Sequence, residues 1–239
     1  LIAQLRNREY AALTARLEAE ARQSELSRQL AESQLRMLQL LVEPHFLFNT
    51  LASARQLAEK GAPEAARLVG DLIVFLRAAT PALRESRTTL SAEAELVRAY
   101  LSIMRTRLGR RLDFDVSIPA ALGDASLPPG MLITLVENAI KHGIEPWPPG
   151  GRIDVTARDA GGRLEVSVAD TGAGLEGAPV AGTGIGIANI RERLALLYGE
   201  RASLELEENA PRGFRARIVL PREAPSPSVP FVPVMAAPR

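Results

Sequence analysis

The run Glu137-Asn138-Ala139-Ile140-Lys141-His142-Gly143 decides how the second half of the chain is read. In a helix from Met131 to Lys141 it sets Asn138, Lys141 and His142 at i, i+3 and i+4, on one face. An amide oxygen, an ammonium and an imidazole converging there suit a metal-bound polyphosphate, with Asn138 as a hard oxygen ligand for Mg²⁺ and Lys141 as a point charge on phosphate. Two more segments follow. Asp170-Thr171-Gly172-Ala173-Gly174 comes straight after a strand, where Asp170 can accept a hydrogen bond from an amino group such as that of adenine while Gly172 and Gly174 turn the backbone around the ring. Gly182-Thr183-Gly184-Ile185-Gly186 runs into a helix, and its glycines let backbone N–H groups approach phosphates at the helix's positive end. Each segment alone has a plainer reading: a turn, a strand-end Asp, a histidine packed under a lid. Their order within about 50 residues favours a single site. No Lys-Ser/Thr follows the glycines and no βαβ unit surrounds them, so the P-loop and the dinucleotide fingerprint both fit poorly.

The flanking sequence sets these segments in an α+β sandwich. Ser91, as N-cap, opens a helix that ends near Gly109. Leu112, Phe114, Val116 and Ile118 then alternate with Asp113, Asp115 and Ser117, which predicts a strand with one buried face. Further strands are predicted over Ile153–Ala157, Leu164–Ala169, Ser203–Leu206 and Phe214–Leu220, with a helix over Ile187–Tyr198. This pattern predicts one helical layer over a mostly antiparallel sheet.

The first half reads as helix throughout. Residues 1–42 contain neither Gly nor Pro, and their apolar stripe changes register between Ala21 and Leu26, as in a locally unwound coiled coil. A parallel dimer is the simplest partner. The helix is expected to run on through Glu43-Pro44-His45-Phe46-Leu47-Phe48-Asn49-Thr50-Leu51 to about Glu59, with Pro44 forcing a kink. Asn49 lies one turn beyond His45, close enough to hydrogen-bond its ring or a group attached to it. Gly61 and Pro63 stop that helix, and a second runs over Glu64–Ala79. Two such hairpins make a four-helix bundle, which places His45 on a dimeric bundle.

Composition excludes several function classes. A formal net charge of +1 without a basic run gives no nucleic-acid surface, and zero cysteines remove disulfides, thiolate metal sites and cysteine nucleophiles. No apolar run reaches the roughly 20 residues of a membrane span. The chain begins at Leu1 in the middle of an amphipathic pattern, which suggests the cytoplasmic piece of a longer protein with a sensory or inner-membrane segment upstream.

Asn138–Gly143, the Asp170 segment and the Gly182 segment resemble the N box and two glycine boxes of the Bergerat ATP-binding fold shared by histidine kinases, gyrase, Hsp90 and MutL. Within that group EPHFLFNTL resembles the phosphoacceptor region of LytS-type sensor histidine kinases. So do Tyr100-Leu101, Arg107, Gly109, Arg111-Leu112, Pro128-Pro129, LVENAIKHG and GTGIGIANIRERL. The resemblance implies a homodimeric enzyme using ATP and Mg²⁺, autophosphorylation of His45, and transfer to an aspartate on a response regulator receiver domain. It implies a coiled-coil signalling helix over 1–42, a dimerisation and phosphoacceptor hairpin over 43–90, an ATP-binding domain over 91–221 and a disordered tail over 222–239.

Catalytic roles fall to His45, to Glu137 as general base or orienting carboxylate, and to Asn49 in positioning the ring or a hydrolytic water. Nucleotide contacts fall to Asn138, Lys141, His142, Asp170, Gly172, Gly174, Gly182, Gly184 and Gly186. Some positions depart from the pattern: Leu41 for a common Gln, Ile133-Thr134 for Gln-Pro, and Phe214 for the threonine that orders the adenine-binding aspartate. An alternative is an ATP-binding regulator or scaffold of the same fold without histidine phosphorylation. The Pro44-His45 bundle and the intact site residues weigh against it.

Overall fold

The computed structural model describes residues 44–82, 87–174 and 184–222, apart from the side chains at 44, 45, 81, 82, 184 and 185. The expected coiled coil over 1–42, residues 83–86 and 175–183, and the expected tail beyond Arg222 lie outside the described residues. No helix among the described residues is long and apolar enough to cross a membrane.

Helix α1 (Pro44–Glu59) and helix α2 (Glu64–Ala82) form the hairpin read from the sequence. Gly61, at φ 66°, closes α1: its N–H donates to the Ala58 carbonyl and that of Ala62 to the Leu57 carbonyl, both at 2.9 Å. This satisfies two carbonyls that the helix end would otherwise leave open. Helix α2 runs past the predicted Ala79 and takes in Pro81.

The short strand β1 (Thr88–Thr89) leads into helix α3 (Leu90–Leu108). The N-cap is Thr89 rather than the expected Ser91: its hydroxyl accepts from the Ala92 N–H at 3.2 Å and lies 3.0 Å from the Ser91 hydroxyl. Phe46 of α1 packs between Phe75 of α2 and Tyr100 of α3, with ring centroids 5.5 and 5.1 Å away. Such aromatic pairs contribute about 0.5–1.5 kcal/mol each beyond the area they bury. Leu68, Leu72 and Ala79 are buried alongside them.

The remaining strands are β2 (Leu112–Ser117), β3 (Ser126–Leu127), β4 (Gly151–Asp159), β5 (Arg163–Asp170), β6 (Ser203–Glu208) and β7 (Phe214–Pro221). The main sheet has the order β2-β4-β5-β7-β6, antiparallel except for β2 beside β4, and β1 pairs with β3 separately. Two further α-helices among the described residues are α4 (Met131–Asn138) and α5 (Gly184–Tyr198). Ile153, Val155, Leu164, Val166, Ile218 and Leu220 from one sheet face are buried with Leu132, Val136 and Ile140 from α4 and its extension. The opposite face is an ion-pair lattice in which Arg217 meets Glu165, Glu205 and Glu207. That polarity keeps the outer face of the sheet in water and the helices on the other.

Candidate active site

Helix α4 is held at its start by a buried carboxylate. Glu93 of α3 accepts from the N–H of Gly130 at 2.8 Å and of Leu132 at 3.1 Å, which satisfies amides that have no partner within the helix. Burial raises the Glu93 carboxyl above its ordinary value, and these two N–H donors and the nearby Arg193 work against that rise. Arg193 of α5 also donates to the Pro129 carbonyl at 2.6 Å, so α3, α4 and α5 meet at one point.

The far end of α4 differs from the prediction. After Asn138 the chain continues as a π-helix over Ala139–Ile144, marked by the Glu145 N–H donating to the Ile140 carbonyl at 2.8 Å. A π turn holds more residues per turn than an α turn. Asn138 and His142 therefore both line the cavity between the helical layer and the sheet, whereas Lys141 is exposed and lies outside the lining. The expected shared face of all three residues is corrected to the Asn138–His142 pair. Arg111 anchors this segment from below, its guanidinium donating to the carbonyls of Ile144, Glu145, Trp147 and Pro148 at 3.0 to 3.3 Å.

Asp170 ends β5 at the cavity, and it is 2% exposed. Its Oδ1 accepts the Gly172 N–H at 2.9 Å, and the Phe214 N–H donates to the same carboxyl. Burial still pushes the group up to about 6, against those two donors. Gly143 crosses directly over it: a Cβ there would lie 2.6 Å from Asp170 Oδ1. A Cβ on Gly172 would collide with the Gly143 backbone, and the Ala173 N–H donates to the Gly143 carbonyl at 2.9 Å. Gly174, at φ 69°, turns the chain away along the cavity wall. Leu135, Ala139, Val168, Phe214 and Ala216 supply the apolar walls, Val168 and Ala216 being register partners on β5 and β7.

His142 is held below the usual imidazole value, by partial burial first and the Lys141 ammonium second. Asn138 has a buried Nδ2 without a hydrogen-bond partner. A buried amide left open in this way fits a residue that meets a polar ligand, and rotating the group would offer its oxygen to a cation. No cluster of three or more His, Cys or acidic residues among the described residues could hold a metal by itself. Mg²⁺ at Asn138 would therefore depend on phosphate oxygens and water for its other ligands.

Gly184 begins α5. Gly186 sits where α5 meets α4: a Cβ there would lie 3.0 Å from the Thr134 methyl and 3.5 Å from Asn138 Nδ2. Gly182 lies outside the described residues. Glu137 is half-buried and is not among the cavity-lining residues. His45 stands in the first turn of α1, with its side chain outside the described part, and Asn49 follows one turn on. Glu93, Arg111 and the walls Leu135 and Val168 had no assigned role in the sequence. Val168 carried a signal, since it falls on the inward phase of a predicted strand; Arg111 stood in a quoted motif without a role, and Glu93 carried no signal.

Residues 33–112 match the family model described as histidine kinase, and residues 123–224 match the one described as histidine kinase-, DNA gyrase B-, and HSP90-like ATPase. The sensor histidine kinase YesM of Bacillus subtilis (strain 168) is 32% identical over 195 residues, covering 80% of this chain and 34% of that protein. The sensor histidine kinase/phosphatase LytS of Staphylococcus aureus (strain NCTC 8325 / PS 47) is 30% identical over 209 residues, covering 82% and 36%. Among solved structures, the histidine kinase domain of the Erythrobacter litoralis EL346 blue-light activated histidine kinase is similar at 21% identity and a TM-score of 0.44, covering 83% of this chain and 93% of that one. The chain spans about a third of the length of the curated relatives it matches. The EPHFLFNTL stretch lies inside the segment matched to the histidine kinase model and all three nucleotide motifs lie inside the segment matched to the ATPase model, so over most of its length the chain is similar to sensor histidine kinases such as YesM and LytS.

Proposed function

We propose that this chain is the kinase core of a two-component sensor: it binds ATP in the cavity between α4 and the sheet, phosphorylates His45, and passes the phosphoryl group to an aspartate of a response regulator. The observation that carries the reading is the convergence of Asn138, His142, Asp170 and Gly174, up to 36 residues apart in sequence, on one apolar-walled cavity. Asp170 accepts the adenine amino group. Asn138 and Lys141 face the phosphates, and the backbone N–H groups of Gly182, Gly184 and Gly186 help to hold them. Asn138 would hold Mg²⁺ together with the nucleotide, and the ion would supply charge neutralisation for in-line transfer.

In the transfer the lone pair of a neutral His45 nitrogen forms the P–N bond as the bond to the bridging oxygen breaks and ADP departs. The proton of the other ring nitrogen then leaves, and Glu137 is the candidate to orient or accept it. In the second step the P–N bond breaks and an aspartyl phosphate forms on the regulator. Asn49 positions the His45 ring or a hydrolytic water, in keeping with the S. aureus relative being a sensor histidine kinase/phosphatase.

The hairpin 43–90 dimerises into a four-helix bundle, fed by a coiled coil over 1–42 and followed by the ATP-binding domain over 91–221. Support comes from large apolar side chains on the hairpin that the rest of the described chain leaves exposed: Phe48, Leu51, Val69, Ile73 and Val74. Incubation with γ-labelled ATP and Mg²⁺ tests the proposal. The expected product is acid-labile, base-stable label, lost in both His45→Ala and Asn138→Ala. Label persisting in His45→Ala would overturn it.

A further inference from the structure

The loop joining β6 to β7 lies across the back of Asp170. Asn209 uses both ends of its side-chain amide there: Nδ2 donates to the Asp170 main-chain carbonyl at 2.8 Å, and Oδ1 accepts from the Arg215 guanidinium at 2.9 Å. A guanidinium has only donors, so Oδ1 must face Arg215 and Nδ2 must face Asp170. The Asn209 N–H donates to the Gly213 carbonyl at 3.0 Å, which closes the loop on itself. Gly213, at φ 111°, lies so close that a Cβ would collide with the Asp170 carbonyl. On the outer side the Arg212 guanidinium sits 4.2 Å from the centre of the Trp147 ring, pinning the loop to the turn after α4. Phe214 has no hydroxyl to offer the Asp170 carboxylate and contributes its main-chain N–H instead. The direction of that carboxylate is thus set by how firmly the loop is seated.

We propose that Asn209, oriented by Arg215, is a positioning residue for base recognition, fixing the Asp170 main chain so that its carboxylate faces the amino group of the nucleotide base. This rests on the reading of Asp170 as the residue that pairs with adenine, and the test separates the two claims. Affinities of the 239-residue chain for ATP and for purine riboside triphosphate, which lacks the exocyclic amino group, are measured by calorimetry. In Asp170→Asn the preference for ATP over the analogue is expected to disappear.

In Asn209→Ala the affinity for ATP is expected to fall about fivefold to tenfold, the effect of one hydrogen bond, while the analogue binds within about twofold of native. Arg215→Leu keeps Asn209 but frees its amide to rotate, so the same selective loss, smaller in size, is expected there. In the Asp170→Asn background, Asn209→Ala should remove no further preference. Equal weakening of both nucleotides in Asn209→Ala, or no weakening, overturns the role of Asn209. An unchanged preference in Asp170→Asn overturns the pairing of Asp170 with the base.

Discussion

At Asp170 burial and hydrogen bonding oppose one another. Removal from water favours the neutral carboxylic acid, the Gly172 and Phe214 N–H groups favour the carboxylate, and burial wins far enough to leave the group titrating at about 6. The proposed pairing with the base is strongest with the charged acceptor, so ATP affinity should fall as pH drops from 7 to 5. Stability should move the other way. The folded-state value is raised, so between about 6 and the ordinary value of 3.8 the folded chain binds more protons than the unfolded one, and this group's contribution to stability rises as pH falls through that window. The difference between native and Asp170→Asn isolates it: urea titrations at pH 7 and pH 4.5 should show native gaining on the variant by on the order of 2 kcal/mol toward acid. A difference that stays constant across that range would mean that Asp170 is not titrating there.

At the scale of elements, the sequence discloses what is periodic and hides what is relational. Strands β4, β5 and β7 were legible because one face of each is buried and the alternation marks it, and α1 was legible through the glycine that closes it. The π turn after Asn138 was not, since a single extra residue in a helical turn leaves no compositional trace; it keeps His142 beside Asn138 at the cavity and leaves Lys141 outside the lining. Asn209 was equally hidden, because its partner Asp170 is 39 residues away and an Asn before a turn is ordinary. Arg111 stood in a recognised motif with no role that spacing could supply. Its guanidinium gathers four carbonyls at the end of the π segment, two of them part-buried, and no lysine could reproduce that planar fork. Arg111→Lys should therefore destabilise the chain by about 1–3 kcal/mol, the range for hydrogen bonds to a charged group after allowance for their partial exposure. It should also weaken ATP binding through loss of order at His142 and Gly143. A urea midpoint equal to that of the native chain would remove Arg111 from this role.

Across the whole molecule, apolar surface is distributed unevenly. The ATPase sandwich hides its large side chains well: Leu196 is its only strongly exposed large hydrophobic among the described residues, at 62%. The hairpin buries Phe46, Leu68, Leu72 and Phe75 toward α3 yet leaves Phe48 72% and Val74 55% exposed, with Leu51, Val69 and Ile73 beside them in degree. Covering a side chain of this kind contributes about 1.5–3 kcal/mol when complete, so five half-covered residues on each copy give a self-complementary contact ample reason to form. Ile73→Glu puts a carboxylate into that contact without touching the buried side of α2, and desolvating it costs several kcal/mol. Since each 1.4 kcal/mol is tenfold in the dissociation constant, sedimentation at micromolar concentration should show a shift from dimer toward monomer of at least about a hundredfold in that constant. Leu196→Glu, an equal change on a lone exposed residue, should leave association as it was. If Ile73→Glu remained as dimeric as the native chain, the hairpin face would not be where two copies meet.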